Sequence, residues 1–323
     1  MAAWHLYIAG CAEHGGIYRY RFEAGRCELM DRTPADRPMY LEYSGGALRA
    51  LLKAPFEGGG HSALVEWPVA ADGSLGAPSA PVDTGGVEAC HLCRWRGRTY
   101  AVNYASGSVF SSDGRRVVHA GRGVDPLRQE GPHPHFIAPA PDGECLLCVD
   151  LGLDAIISYD ERLVPLARSD VPAGQGPRHL AFDAAGNTVF CANELGSSVS
   201  AFRYEGGRLS RLDTVPALPG ARAENYPAAI RAAGDRVYVS NRGDDSVSVL
   251  HWTGERLEHE SVFPCGGRWP RDIALVGDYI LCANERSDAV SVLRGDGADT
   301  GLRLAVPAPV AILAVGIKGE GEG

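Results

Sequence analysis

The stretch GPRHLAFDAAGNTVFCANELGSSVSAF, residues 176–202, is apolar on both sides of a turn, yet it carries Arg178 and His179 at its entry and Glu194 at its exit. An arginine fork can hold an oxyanion, a carboxylate or a phosphate, and an imidazole or carboxylate beside it can take a proton from water. If the turn is centred on Gly186, Arg178 and Glu194 stand opposite one another across the hairpin. In one isolated hairpin such a pair needs no role beyond closing the ladder. The same construction recurs along the chain: a centre at Gly97 sets Cys90 opposite Tyr104, and a centre at Gly143 sets His135 opposite Leu151. Centres at Asp235 and Asp278 set Ala228 opposite Arg242 and Arg271 opposite Glu285. Three arginines, two glutamates and a histidine therefore fall at equivalent hairpin ends.

The elements that must carry them repeat. Segments beginning at residues 103, 150, 193, 241 and 284 can be laid beneath one another, 43 to 48 residues apart, each preceded by an apolar strand (TYAV, LLCV, VFCA, VYVS, ILCA) and followed by another. That spacing is the period of a four-stranded propeller blade. Two further units fit upstream, WHLYIAGCAEHGGIYRYRF and, more loosely, ALRALLKAPFEGGGHSALVEW, for a total of seven. PVAILAV, residues 309–315, reads as a first blade strand without successors, and the N-terminus supplies a second and third strand without a first. Joining them closes a ring and removes two sheet edges.

The expected fold is all-β, a seven-bladed β-propeller spanning residues 1–323 as one domain, with 316–323 a frayed tail. First strands of blades line the central channel. His135, Arg178, Glu194, Arg242, Arg271 and Glu285 should then converge on one channel mouth. Arg271 is a reserve anion-binding group, and Glu285, Tyr104 and His133 are further substrate-binding candidates, although His133 could serve only to shape the HPH turn. His179 should point away from the channel into a contact between blades. The remaining histidines, His5, His14, His61, His91, His119, His251 and His259, share no spacing and default to surface or core positions.

Composition agrees with many short strands: 41 Gly and 21 Pro are spread evenly, and no amphipathic helix stands out. A formal charge of −9 repels nucleic acid and anionic membranes, so neither is an expected partner. The N-terminus shows no basic region followed by an apolar run, and no 18-residue apolar stretch occurs, so a soluble, cytoplasmic protein is expected. Composition leaves the oligomeric state open. The nine cysteines lie in strand-like segments, and in CHLC and CLLC the paired residues point to opposite strand faces, which suits buried thiols better than a zinc site. The GGG run at 58–60 lacks the helix a phosphate loop requires, and there is no GxSxG.

GPHPHFIAPAPDG, GPRHLAFDAAGNTVFCANELGSSVSAF, YPAAIRAAGDRVYVSNRGDDSVSVL and WPRDIALVGDYILCANERSDAVSVL resemble blades of the seven-bladed propeller lactonase family. That family includes the propeller-type bacterial 6-phosphogluconolactonase and the fungal carboxy-cis,cis-muconate lactonizing enzyme. Carried over by position, the resemblance places catalytic candidates at His135, Arg178, Glu194 and Arg242. Where the family usually has an acidic residue, YPAAIRAAG carries Ala229, which bears on the choice of substrate. The resemblance implies hydrolysis of a sugar-acid lactone, 6-phosphogluconolactone first, with a small anionic lactone or sugar acid as the partner. The alternatives are a cyclase running lactone chemistry in reverse on a dicarboxylate, and a propeller that binds a ligand or protein without catalysis.

No cofactor is expected, and no metal, because the rim residues lack a second histidine at coordination spacing. Lactone turnover should therefore survive exhaustive chelation; reversible loss with rescue by a divalent ion would contradict this expectation.

Overall fold

The computed structural model describes residues 2–53, 60–220 and 224–317. Gly58 and Gly59 of the glycine run, and the tail from Lys318 on, lie outside the described residues. The described chain forms seven four-stranded antiparallel sheets, each a blade whose inner strand packs against the inner strands of its two neighbours around an axis. Blade one takes its inner strand, Pro309–Ile317, from the end of the chain and pairs it with Ala3–Gly10. Gly316 and Ile317, expected in a frayed tail, pair with Trp4 and Ala3. The inner strands of blades two to seven are Pro38–Ser44, Ala89–Trp95, Pro134–Pro139, Pro177–Phe182, Tyr226–Ala233 and Pro270–Val276. Among the described residues no helix is long and apolar enough to cross a membrane.

Each inner strand breaks register once, near its start. In blade five Pro177 pairs with Asn193 and His179 with Ala192, which leaves Arg178 looped out between them. The same shift isolates Met39, Cys90, His135, Arg271 and Val310 in their own blades, and in blade six it falls across Ala228 and Ala229. A residue inserted in this way leaves the ladder, and its strand bends. Pro38, Pro134, Pro177, Pro227, Pro270 and Pro309 stand at or next to these shifts. Proline suits the start of a strand because it has no N–H to leave unpaired.

The facing pairs expected from turn centres are accordingly displaced. The turn after Asp183 holds four residues before Thr188, so its centre falls between Ala185 and Gly186, not on Gly186. Arg178 faces no residue across the ladder, and neither do Cys90, His135 and Arg271 in their blades. In blade six the ladder partner of Arg242 is Tyr226, not Ala228.

A second recurring device explains the repeated asparagine. Asn103, Asn193 and Asn284 end second strands and Asn241 stands one residue before the end of its own; all are fully buried and donate through Nδ2 to Ser108, Ser198, Ser291 and Ser246 at 2.9–3.2 Å. Asn193 and Asn241 reach a second serine each, Ser200 and Ser248, at 2.8 Å. Blade four uses Asp150, whose Oδ1 accepts from the backbone N–H groups of His133 at 2.8 Å and Leu153 at 3.0 Å. Each buried bond stabilises the fold by about 0.5–1.5 kcal/mol net. Each also fixes the residue that follows: Tyr104, Leu151, Glu194, Arg242 or Glu285.

Closure of the ring generates a prediction. Deleting residues 307–323 removes the inner strand of blade one and bares the edge of Ala3–Gly10, whose Leu6, Tyr7, Ile8 and Ala9 are buried. The truncated chain should aggregate or lose its cooperative thermal transition, as followed by circular dichroism and gel filtration. A soluble truncation with an unchanged transition would contradict the closure.

Candidate active site

The looped-out residues Met39, Cys90, His135 and Arg271 and the residues after the asparagine clips, Tyr104, Glu194 and Arg242, meet at one end of the axis. They line a cavity of about 320 Å³, within the lower range of small-molecule sites, roughly 300–1,000 Å³. His135, Glu194, Arg242, Arg271 and Tyr104 all line it. Arg178 lies one layer deeper, in a waist of about 10 Å³ shared with Met39, Cys90, His135, Arg271 and Val310.

Glu194 is the centre of the charge network. Its Oε2 accepts from Arg242 at 2.6 Å and lies 3.2 Å from Nε of Arg178, while Oε1 accepts from Arg128 at 2.6 Å. Burial alone would raise the pKa of this carboxyl, but Arg242, Arg178, His135 and Arg128 outweigh burial and hold it well below the usual range. The deep arginines are anchored by the backbone: Arg178 donates to the carbonyl of Ala228 at 2.7 Å and Arg242 to that of Tyr226 at 3.2 Å. Burial and the neighbouring Arg242 push the pKa of Arg178 down to about 9 in spite of Glu194. An anionic ligand would relieve that unfavourable charge. Arg271 forms its own pair with Glu285 at 3.2 Å.

His135 is almost fully buried, and burial followed by the charge of Arg178 holds its pKa well below 6.5, so it is a neutral imidazole near neutral pH. Its Nδ1 is 3.9 Å from the Cys90 thiol, which burial pushes up to about 12 and so keeps protonated. His133 does not line the cavity. Its imidazole stacks under Tyr104 at 4.4 Å and bonds the Tyr104 carbonyl and Glu130 at 3.1 Å each, so it positions Tyr104.

His179 makes the contact between blades that was expected, but not away from the channel. It turns into the channel, with ring centroids 5.3 Å from His135 and from Phe136 and 5.4 Å from His91. His91 in turn lies 4.0 Å from Tyr40 and 4.2 Å from Phe136, and these rings fill the axis below the cavity. The break at Arg178 is the reason: it resets the alternation of the strand, so Arg178 and His179 both reach the waist. Sequence reasoning therefore missed the histidines beside His135. Among the described residues no group of three or more His, Cys, Asp or Glu has the geometry to hold a metal ion.

Arg128, Lys53, Glu88, Met39 and Cys90 also line the cavity and were not singled out. Arg128 comes from the long connection between blades three and four. Gln129 pins that connection, accepting from the backbone N–H groups of Val124 and Asp125 at 3.1 Å and donating to Leu151 at 2.9 Å. The available signal was a basic residue on a glycine- and proline-punctuated loop opening onto the mouth that holds Glu194. Ala229, by contrast, is fully buried among Ile273, Val247 and Cys282 and faces neither the cavity nor its waist.

A family model for the seven-bladed β-propeller lactonases matches residues 5–313. The chain belongs to that lactonase family. It superposes on the periplasmic gluconolactonase of Pseudomonas aeruginosa with a TM-score of 0.87 at 25% identity, covering 98% of this chain and 100% of the other. It is 30% identical to the 6-phosphogluconolactonase of Bacillus subtilis over 138 residues, 38% of this chain and 39% of that protein. A Staphylococcus saprophyticus protein is 33% identical over 95 residues, 28% of each chain. These two alignments thus span less than half the length of the curated relatives.

The buried histidines make stability depend on pH. Burial first, and nearby arginines second, hold His91, His135 and His179 well below 6.5 in the fold, whereas the unfolded chain takes up their protons near that value. Stability is then full above about pH 6.5 and falls as pH drops, by up to about 1.4 kcal/mol per pH unit for each histidine. Glu194, depressed instead, loses its contribution only at still lower pH. Melting temperature should fall from pH 7 to pH 5, and His179→Asn should flatten that slope whatever it does to the plateau. Parallel slopes in the two proteins would show that His179 does not remain neutral in the fold.

Proposed function

We propose that this protein hydrolyses a sugar-acid lactone, 6-phosphogluconolactone in the first place, at the charged mouth of the channel. The observation that carries this reading is the cluster itself: a neutral, buried imidazole beside a carboxylate that is held ionised by three guanidinium groups. His135 accepts the proton of a water molecule as its oxygen bonds the lactone carbonyl carbon. The developing oxyanion is met by Arg178 and Arg242, whose directions are preset by Glu194 and by backbone carbonyls. As the tetrahedral intermediate collapses, the bond from the carbonyl carbon to the ring oxygen breaks. The imidazolium returns its proton to that oxygen, and the acid product ionises. Glu194 is too weakly basic in this setting to be the better proton acceptor; it orients the arginines and stabilises the imidazolium.

The charge of the mouth supports an anionic substrate. Among the described residues, Lys53, Arg128, Arg178, Arg242 and Arg271 outnumber the carboxylates of Glu88, Glu194, Asp272 and Glu285. Two relatives named for lactones of gluconate or its phosphate point to the same substrate class.

A panel of phosphorylated and plain lactones, with Glu194→Gln, His135→Asn and Arg178→Lys, tests the reading. Each variant should fold and lose about a hundredfold or more in turnover of the preferred lactone. Arg178→Lys keeps the charge but not the planar fork. The Glu194→Gln, His135→Asn double variant should be little worse than the poorer single one, as members of one catalytic unit are not additive. Wild-type turnover in all three single variants would remove this mouth as the active site, and binding without turnover in the wild type would favour a non-catalytic propeller.

A further inference from the structure

The cations of the mouth fall into two tiers. Arg178 and Arg242 form the inner one: their side chains are 3% and 7% exposed, and both hold backbone carbonyls. Arg128 and Lys53 form the outer one, with side chains 39% and 40% exposed. The guanidinium of Arg128 bonds side chains alone, Glu194 at 2.6 Å and the Tyr104 hydroxyl at 3.4 Å, and Lys53 pairs with Glu88 at 2.9 Å. The Lys53–Glu88 pair is half-exposed on both sides and is exchanged at little cost. Arg128 is half-exposed but holds a buried carboxylate, so its release depends on the other partners that Glu194 keeps.

We propose that Arg128, assisted by Lys53, is the arm that recognises a second anionic group on the substrate, a phosphate monoester remote from the lactone carbonyl. This rests on the lactonase reading and assigns the substrate class its discriminating residue. The arm is well built for exchange. Its backbone is fixed, because Asp125 accepts the Arg128 N–H at 3.0 Å and buried Gln129 ties down the loop. Its departure leaves Glu194 paired, because Oε2 remains with Arg242 at 2.6 Å and Arg178 at 3.2 Å. A phosphate offers the guanidinium two oxygens in the spacing of its fork, in place of the single carboxylate oxygen it now holds. Depth also separates the duties: His135 and the inner arginines serve the reacting carbonyl, and the outer cations stand toward solvent, where the far end of a bound sugar acid would lie.

The experiment measures kcat and KM for 6-phosphogluconolactone and for glucono-δ-lactone in wild type, Arg128→Ala, Arg128→Lys and Lys53→Ala. The preference for the phosphorylated lactone should fall on the order of tenfold or more in Arg128→Ala, mainly through KM. Arg128→Lys should recover part of that preference, and Lys53→Ala should show a smaller loss in the same direction. Equal losses on both lactones would overturn the proposal and leave Arg128 as a partner of Glu194 only. Calorimetric binding of 6-phosphogluconate against gluconate supplies a readout that needs no turnover. Wild-type protein should prefer the phosphorylated acid and Arg128→Ala should lose that preference; its absence in wild type would overturn the proposal even if both lactones are hydrolysed. Retained preference with no turnover of any lactone would instead remove the lactonase reading and leave the anion arm standing.

Discussion

An inner strand of this propeller has to satisfy two demands that conflict. Its backbone must pair with the second strand of its own blade, and a side chain near its start must leave the plane of that sheet and face the axis. One residue looped out of the ladder meets both, and the shift recurs in all seven blades. Because the shift is structural, its occupant is free to vary. Met39, Cys90 and Val310 fill space at this position, while His135, Arg178 and Arg271 bring charge or basicity. Charge and basicity at this position are confined to three blades, and the frame that repeats in the rest is unaltered.

The charge that results would be unstable without mutual compensation. Buried guanidinium groups carry a large desolvation cost, and removing one partner of a buried pair leaves the other uncompensated. Glu194 answers this by sharing its oxygens among arginines from three separate segments of the chain, so residues far apart in sequence settle into one geometry. The same compensation leaves the cluster short of negative charge, with Arg178 depressed to about 9.

Much of this was legible in the sequence, and the failures have one physical origin. The repeat of segments from 103, 150, 193, 241 and 284 announced the blade period. The hairpin ends pointed Glu194 and Arg242 toward the mouth whose cavity both line, whereas Glu285 adjoins it only through its pair with Arg271. A single looped-out residue leaves no mark in composition. Hairpin arithmetic therefore brought Arg178 and Glu194 together while misplacing the ladder between them, and strict alternation sent His179 outward. Arg128 was missed for another reason: it comes from a connection that the other blades do not repeat, where periodicity has nothing to report. The last residues of the described chain, Gly316 and Ile317, read as a tail because glycine and charge follow them, but pairing with Ala3 and Trp4 decides their state.

The rings of Tyr40, His91, Phe136 and His179 stopper the axis beneath the cavity, and the waist above them has room for about one water molecule. The propeller is therefore a cul-de-sac and not a tunnel. Molecular traffic is single-ended, so whatever enters head first must back out, and the end that went in last leaves first. A second molecule cannot queue behind the first or push it through. Exchange of any bound molecule then becomes a matter of how quickly one doorway is vacated, and the groups that line that doorway govern departure as much as arrival.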